Sequence, residues 1–185
     1  MMGDLYKVSF ENDYVRIVDV AIPARHEPAD YIPAALPLIR IDIDSRKTRY
    51  VDSLSRHELA RPSEKATREI RVELKAAPPA RALTLDAVRI DPARYKVDFE
   101  NEIVRVVRLG FGPREKGVMV EHPPRVLATL SNVSVKLVFQ DGKADERGAP
   151  AGVTAWLEGE TLLTENASDQ ALEVVLVEPK SASGF

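Results

Sequence analysis

Residues 95–114 read YKVDFENEIVRVVRLGFGPR, and residues 6–25 read YKVSFENDYVRIVDVAIPAR. The two stretches align without a gap at a constant offset of 89 residues. Tyr, Lys, Val, Phe, Glu, Asn, Val, Arg, Val and a closing Arg are identical in both. Self-similarity at a fixed offset settles the architecture before any local reading, because each copy is one structural unit. The chain is therefore two copies of one unit. In the first copy Val18, Val20 and Ile22 fall on one side and Asp19 on the other. That period of two is the period of a β-strand.

Outward from the repeat, the same grammar continues. Residues 8–10 are expected as a short strand, Asn12-Asp13 as a turn, and residues 14–22 as a long strand. Pro23, Pro28, Pro33 and Pro37 then punctuate the chain. Ile39, Ile41 and Ile43 alternate with Arg40, Asp42 and Asp44, a strand with one buried face, and residues 47–51 are expected to pair back with it. Residues 53–67, polar and broken by Pro62, suit a helical turn or an irregular loop; Ile70, Val72 and Leu74 close the first copy. Residues 76–80 (AAPPA) form a linker, since paired prolines favour an extended spacer. Residues 83–90 are expected to add a strand leading into the second copy. Further strands are expected over 103–111, 126–130, 133–139, 153–157, 161–164 and 172–177, with a hairpin signal at Asp141-Gly142. Many short alternating strands separated by turns make an all-β sandwich or barrel. The expected divisions are a shortened repeat over 1–75, a linker and leading strand over 76–94, and a full repeat over 95–185.

The copies are unequal. The closing strands, VELK with Glu73 and VEPK with Glu178, lie 105 residues apart, so the first copy lacks 16 residues from its middle. It also has no glycine between Tyr6 and Lys75, whereas the second copy has Gly110, Gly112, Gly117, Gly142, Gly148, Gly152 and Gly159. Tight β-turns draw on glycine for positive φ. The first copy is thus expected to have dropped a hairpin and rebuilt its turns with proline. That leaves an open sheet edge, which must be covered by the second copy or by another chain; the latter admits a homodimer.

Composition narrows the partners. The chain has no cysteine, which excludes disulfides and thiolate chemistry. A net charge of −3 without a basic run argues against nucleic acid or an anionic membrane surface as partner. The N-terminal MMGDLYKVSFEND reads as neither a signal peptide nor a membrane span, and the expected location is cytoplasmic. Ser131, Ser134 and Ser168 have no histidine–acid pair nearby in the sequence pattern, so nucleophilic catalysis finds no candidate.

Three stretches of the second copy, YKVDFENEIVRVVRLGFGP, VMVEHPP and APAGVTAWLEGETLLTEN, make it resemble the cupin family over nearly its whole length. The resemblance implies a jelly-roll β-barrel with a metal at its centre, and the duplication implies a bicupin whose first barrel is shortened. In that family VMVEHPP corresponds to a motif carrying two histidines, and the stretch around Trp156 to a motif carrying a third. Here those positions hold Val120, His122 and Leu162. Valine and leucine have no donor atom, so no metal is expected in the second copy. The nearest candidates elsewhere are His26 with Glu27, and His57 with Glu58; His57 stands at the position equivalent to Leu162.

Two readings follow. The first is a degenerate bicupin without cofactor, a non-catalytic protein that binds a small apolar molecule or serves in assembly. Its pocket is expected to be lined by Val120, His122, Leu162, Val126 and Leu137, with His122 as the one polar group. The second is a metal-dependent cupin enzyme, a dioxygenase or isomerase, holding a divalent transition metal in a rearranged histidine site. Arg16 and Arg105, the same residue in both copies, are expected to form structural ion pairs with the neighbouring Glu11 and Glu100. Trp156 is expected in the core.

Overall fold

The structure is a computed structural model, and it describes residues 5–25, 35–52 and 64–180. The chain divides into two compact units, Met1–Ala76 and Ala77–Phe185. Unit one contains β1 (Tyr6–Glu11), β2 (Val15–Ile22), β3 (Leu38–Asp42), β4 (Thr48–Val51) and β5 (Thr67–Leu74). They form one antiparallel sheet in the order β1-β2-β5-β3-β4.

Unit two opens with a short helix, α1 (Ala87–Ile90), followed by β6 (Tyr95–Glu100), β7 (Val104–Phe111), β8 (Val120–His122), β9 (Arg125–Thr129) and β10 (Val133–Phe139). β11 (Ala144–Ala149), β12 (Thr154–Leu157), β13 (Glu160–Asn166) and β14 (Leu172–Pro179) complete it. These strands make two antiparallel sheets, β6-β7-β14-β9-β12 and β11-β10-β13-β8.

The five-stranded sheets of the two units have the same strand order, and their registers agree. Val15 faces Leu74 in unit one, and Val104 faces Pro179 at the equivalent place in unit two. β1 and β6 even share one irregularity, a register shift between Val8 and Phe10 and between Val97 and Phe99. The shortening of unit one is now located. Residues 43–47 join β3 to β4, whereas residues 130–153 join β9 to β12 and contain β10 and β11. Unit one has lost that hairpin. The four-stranded sheet has no counterpart among the described residues of unit one, and the segments that would correspond to β8 and β13 lie mostly outside them.

The identities of the repeat have physical causes in both units. The Oδ1 atoms of Asn12 and Asn101 accept from the N–H groups of Tyr14 and Val15 and of Ile103 and Val104, at 2.9 to 3.0 Å. Each side chain thereby shapes the turn between the first two strands of its unit, the usual use of Asn at a turn. Glu11 pairs with Lys75, and Glu100 with Lys180, tying that turn to the last strand. The closing arginines, Arg25 and Arg114, both have positive φ, 59° and 55°. That region is sparsely allowed for a residue with a Cβ. It marks the same turn after β2 and after β7.

The structure corrects the sequence reading at several places. Residues 83–90 do not form a strand: Asp86 makes a single bridge to Glu121, and α1 follows. Pro92 explains why that helix stops, because the residue before a proline is driven out of the helical region; Asp91, at its end, has ψ of 63°. β11, with the sequence ADERGA, was not expected. It is an edge strand bonded to β10 alone and almost wholly exposed, so nothing imposes a hydrophobic alternation on it. Gly142, in the turn before it, has φ of 82°, which is why the Asp141-Gly142 signal was readable. Trp156 is half-buried rather than core, and its Nε1 donates to Glu158 at 2.7 Å. Among the described residues no helix is long and apolar enough to cross a membrane.

Candidate binding cavity of unit two

Between the two sheets of unit two lies a partly open cavity of about 220 Å³. Its walls are apolar and include Leu109, Leu127, Leu137, Leu162, Leu172 and Leu176. Strand periodicity decides which residues reach it. On β9 the cavity is lined by Arg125, Leu127 and Thr129, which alternate with Val126 and Ala128 on the opposite face. On β13 it is lined by Glu160, Leu162 and Thr164.

One part of the lining is polar. His122 lies opposite Glu160 in the β8–β13 pairing. Glu160 Oε1 accepts from Arg125 Nη2 at 2.8 Å, and Arg125 Nη1 donates to the carbonyls of Pro123 and Glu158 at 3.2 and 3.3 Å. His122 Nε2 is 3.5 Å from the hydroxyl of Tyr95. His122 and Arg125 are 2% and 3% exposed, and His122 Nδ1 and Arg125 Nε are buried without a hydrogen-bond partner. Such atoms are rare in folded proteins and call for an explanation.

Burial sets the protonation states. It pushes the His122 imidazole well below its ordinary range, and the nearby Arg125 and Arg105 guanidinium groups push the same way, so the ring is neutral. Burial raises the Tyr95 phenol far above its usual range, so it remains protonated. Arg105 bonds the wholly buried Glu178 at 2.6 Å and Asp86 at 2.9 and 3.0 Å. Burial nevertheless keeps the Glu178 carboxyl above its ordinary value, against the pull of Arg105. Arg105 therefore pairs with Glu178 rather than the expected Glu100, whereas Arg16 does pair with Glu11, at 3.3 Å, and also with Glu73.

Of the residues expected at the pocket, His122, Leu137 and Leu162 line the cavity. Val120 faces Leu162 across the β8–β13 pair and is fully buried in the core cluster beside it. Val126 is a correction. It is fully buried on the face of β9 turned away from the cavity, because both faces of that strand are buried and an apolar residue does not mark the inner one. The expectation of a single polar group is also corrected, since Arg125 and Glu160 stand beside His122. The available signal was a basic residue at the head of a largely apolar strand, three positions after His122. Glu121, on the other face of β8, bonds Arg81 at 2.8 Å and the Thr84 N–H at 2.9 Å, fastening residues 81–84 to β8. His26 and His57 lie outside the described residues.

No family model and no curated protein matches the sequence. Solved structures do match. A Cupin 2 conserved barrel domain protein from Leptotrichia buccalis is 11% identical, covers 95% of this chain and 88% of its own, and has a TM-score of 0.52. A cupin domain from Bordetella pertussis is 24% identical over 47% of this chain and 92% of its own, with a TM-score of 0.44. The chain has the cupin fold: an all-β protein of two cupin-type units, the first shortened.

Cupin folds commonly carry a metal, and the residues of unit two can be tested against one. A divalent ion needs three or four converging nitrogen or oxygen donors. Two of the positions that would supply them hold Val120 and Leu162. His122 keeps Glu160 as its neighbour, but that carboxylate is engaged by Arg125, whose fixed positive charge opposes a cation. Among the described residues no group of three His, Cys, Asp or Glu converges. The side chains of unit two do not fit a metal.

Proposed function

We propose that unit two is a non-catalytic binding module that takes a small, largely apolar molecule into the cavity between its sheets. The observation that carries this reading is a largely apolar cavity between the two sheets, with Leu162 in its lining. Pockets of this make-up, apolar with a few polar groups, are the usual form of small-molecule sites. Size bounds the ligand. By proportion to the 150 Å³ cavity that accepts benzene, this one holds about nine non-hydrogen atoms.

The test is titration of isopropylbenzene into the full chain with labelled methyl groups, followed by NMR. Saturable shifts are expected at Leu137, Leu162, Val174 and Leu176, all of which line the cavity. Leu162→Trp should fill the space and abolish them. Shifts that fail to saturate, or that scatter over residues outside the cavity, would overturn the reading.

A further inference from the structure

The open side of the cavity carries a cation, Arg147, and it constrains the ligand more closely than the volume does. This step rests on the cavity-binding reading above. The place of Arg147 follows from register. β11 pairs with β10 so that Arg147 stands opposite Val135, and Asp145 opposite Leu137. Residues directly opposite in an antiparallel pair share one face of the sheet, and Val135 and Leu137 line the cavity. Arg147 therefore leaves β11 on the cavity side and joins the lining. β11 is the last strand of its sheet. The lining residues that are exposed to solvent are Arg147 and Gly148 on β11 and Val153 just after it. The cavity thus opens here. At the opposite edge of the two sheets α1 packs against β6 and β8, and Ala87 and Tyr95 are buried in the core cluster.

Besides His122, the described residues of the lining include three ionisable side chains, Arg125, Glu160 and Arg147. Arg125 and Glu160 bond each other at 2.8 Å, and the Arg125 side chain is 4% exposed. Arg147 is held at one atom only: its Nε donates to Asp145 Oδ2 at 2.8 Å, and this is its sole hydrogen bond among the described residues. Both side chains of that pair are 49% exposed, and an ion pair so open to water is weak. Asp145 itself is not part of the lining. Both Nη groups of Arg147 are left for another acceptor, and a guanidinium matches a carboxylate with two parallel N–H···O bonds. A ligand whose hydrocarbon body fills the cavity keeps a charged head at the open side, because the apolar interior would strip its water. A carboxylate there gains Arg147. An ammonium there meets Arg147 and only an Asp145 that is already bonded. A second carboxylate on the same ligand would lie among leucines. We infer that the cavity takes a small monocarboxylate, with its hydrocarbon body between the sheets and its carboxylate on Arg147.

The experiment titrates three probes with the same hydrocarbon chain, octanoate, octanol and octylamine, into the full chain by calorimetry or NMR at neutral pH, where the acid and the amine are charged. Octanoate should bind about fivefold or more tighter than octanol, the worth of one well-placed charge pair at a half-exposed site, and octylamine should bind weakest. The advantage of octanoate should shrink as salt is added. In Arg147→Gln the affinities of octanoate and octanol should converge. In Asp145→Asn, which removes the competing carboxylate, they should move further apart. Should either variant fail to fold, the ranking and its salt dependence on the unaltered protein still decide. If octanoate and octanol bind alike, or if Arg147→Gln keeps the gap between them, Arg147 does not hold the ligand and the inference fails, while the cavity reading stands. If octylamine binds tightest, the open side selects cations and the carboxylate class is wrong. If none of the three binds, the cavity-binding reading itself is lost.

Discussion

Arg16 and Arg105 occupy one position of the repeat but have different surroundings. The Arg16 side chain is 39% exposed and shared between Glu11 and Glu73, whereas Arg105 is 7% exposed and bonded to Glu178, which is 2% exposed. Removing one partner of a buried pair strands the other, at a cost of about 3–5 kcal/mol, while exposed pairs contribute about 0–1 kcal/mol. Arg105→Met should therefore destabilise unit two by about 3 kcal/mol or more, measured by denaturant unfolding followed through Trp156, the only tryptophan and a residue of unit two. Arg16→Met, measured by circular dichroism, should cost about 1 kcal/mol or less; equal losses would contradict this account. His122 supplies a pH prediction. Its folded pKa lies well below the ordinary 6.5, so below about pH 6.5 the unfolded chain binds a proton that the folded one refuses, and stability falls with pH. Glu178, whose buried carboxyl is held above its ordinary value, contributes the opposite slope, and comparison with a variant lacking the imidazole isolates the share of His122. Unfolding midpoints measured between about pH 7 and 5.5 should fall less in His122→Phe than in the unaltered protein, and parallel curves would refute the assignment. His122 was legible in the sequence as a lone histidine in a motif. Arg125 and Glu160 were not, because their pairing spans 35 residues and depends on which face of β9 turns inward.

Among the elements, those with strong alternation or a diagnostic turn were readable: β2, β7, β10 and β14, and the Asp141-Gly142 hairpin. β11 was not, since an exposed edge strand needs no hydrophobic period, and α1 was not, since a single helical turn is too short to show one. The same contrast predicts local stability. β14 lies between β7 and β9 and is buried along almost its whole length, while β11 is bonded on one side only. Backbone amides of β14 should exchange at least about a hundredfold more slowly than those of β11, because opening a central strand requires breaking up the sheet. Amide exchange followed by NMR or mass spectrometry checks this, and comparable protection in the two strands would count against the topology.

At the scale of the molecule, the repeat and the apolar side chains of Val120 and Leu162 meet in one prediction. Protein purified without a metal-affinity tag should carry no stoichiometric iron, manganese, nickel or zinc in unit two by elemental analysis. Val120 and Leu162 are cross-strand partners, and His122 lies two residues from Val120 on the same face of β8. Val120→His combined with Leu162→His should therefore set three imidazoles together and gain about one equivalent of metal. One equivalent in the unaltered protein that disappears on His122→Ala would show that the present side chains do hold an ion. From the sequence alone came the duplication, the all-β class, the missing hairpin and the apolar residues at positions 120 and 162. Each is written along the chain, as identity at a fixed offset, a period of two, a difference in length or a residue type at a motif position. Only the tertiary structure decided that Arg125 and Glu160 join His122 at the cavity, that Val126 faces away from it, and that Arg105 answers to Glu178, which lies 73 residues away. These depend on strand register and on which face of a doubly buried sheet turns inward, and neither is set by the residues of any one strand.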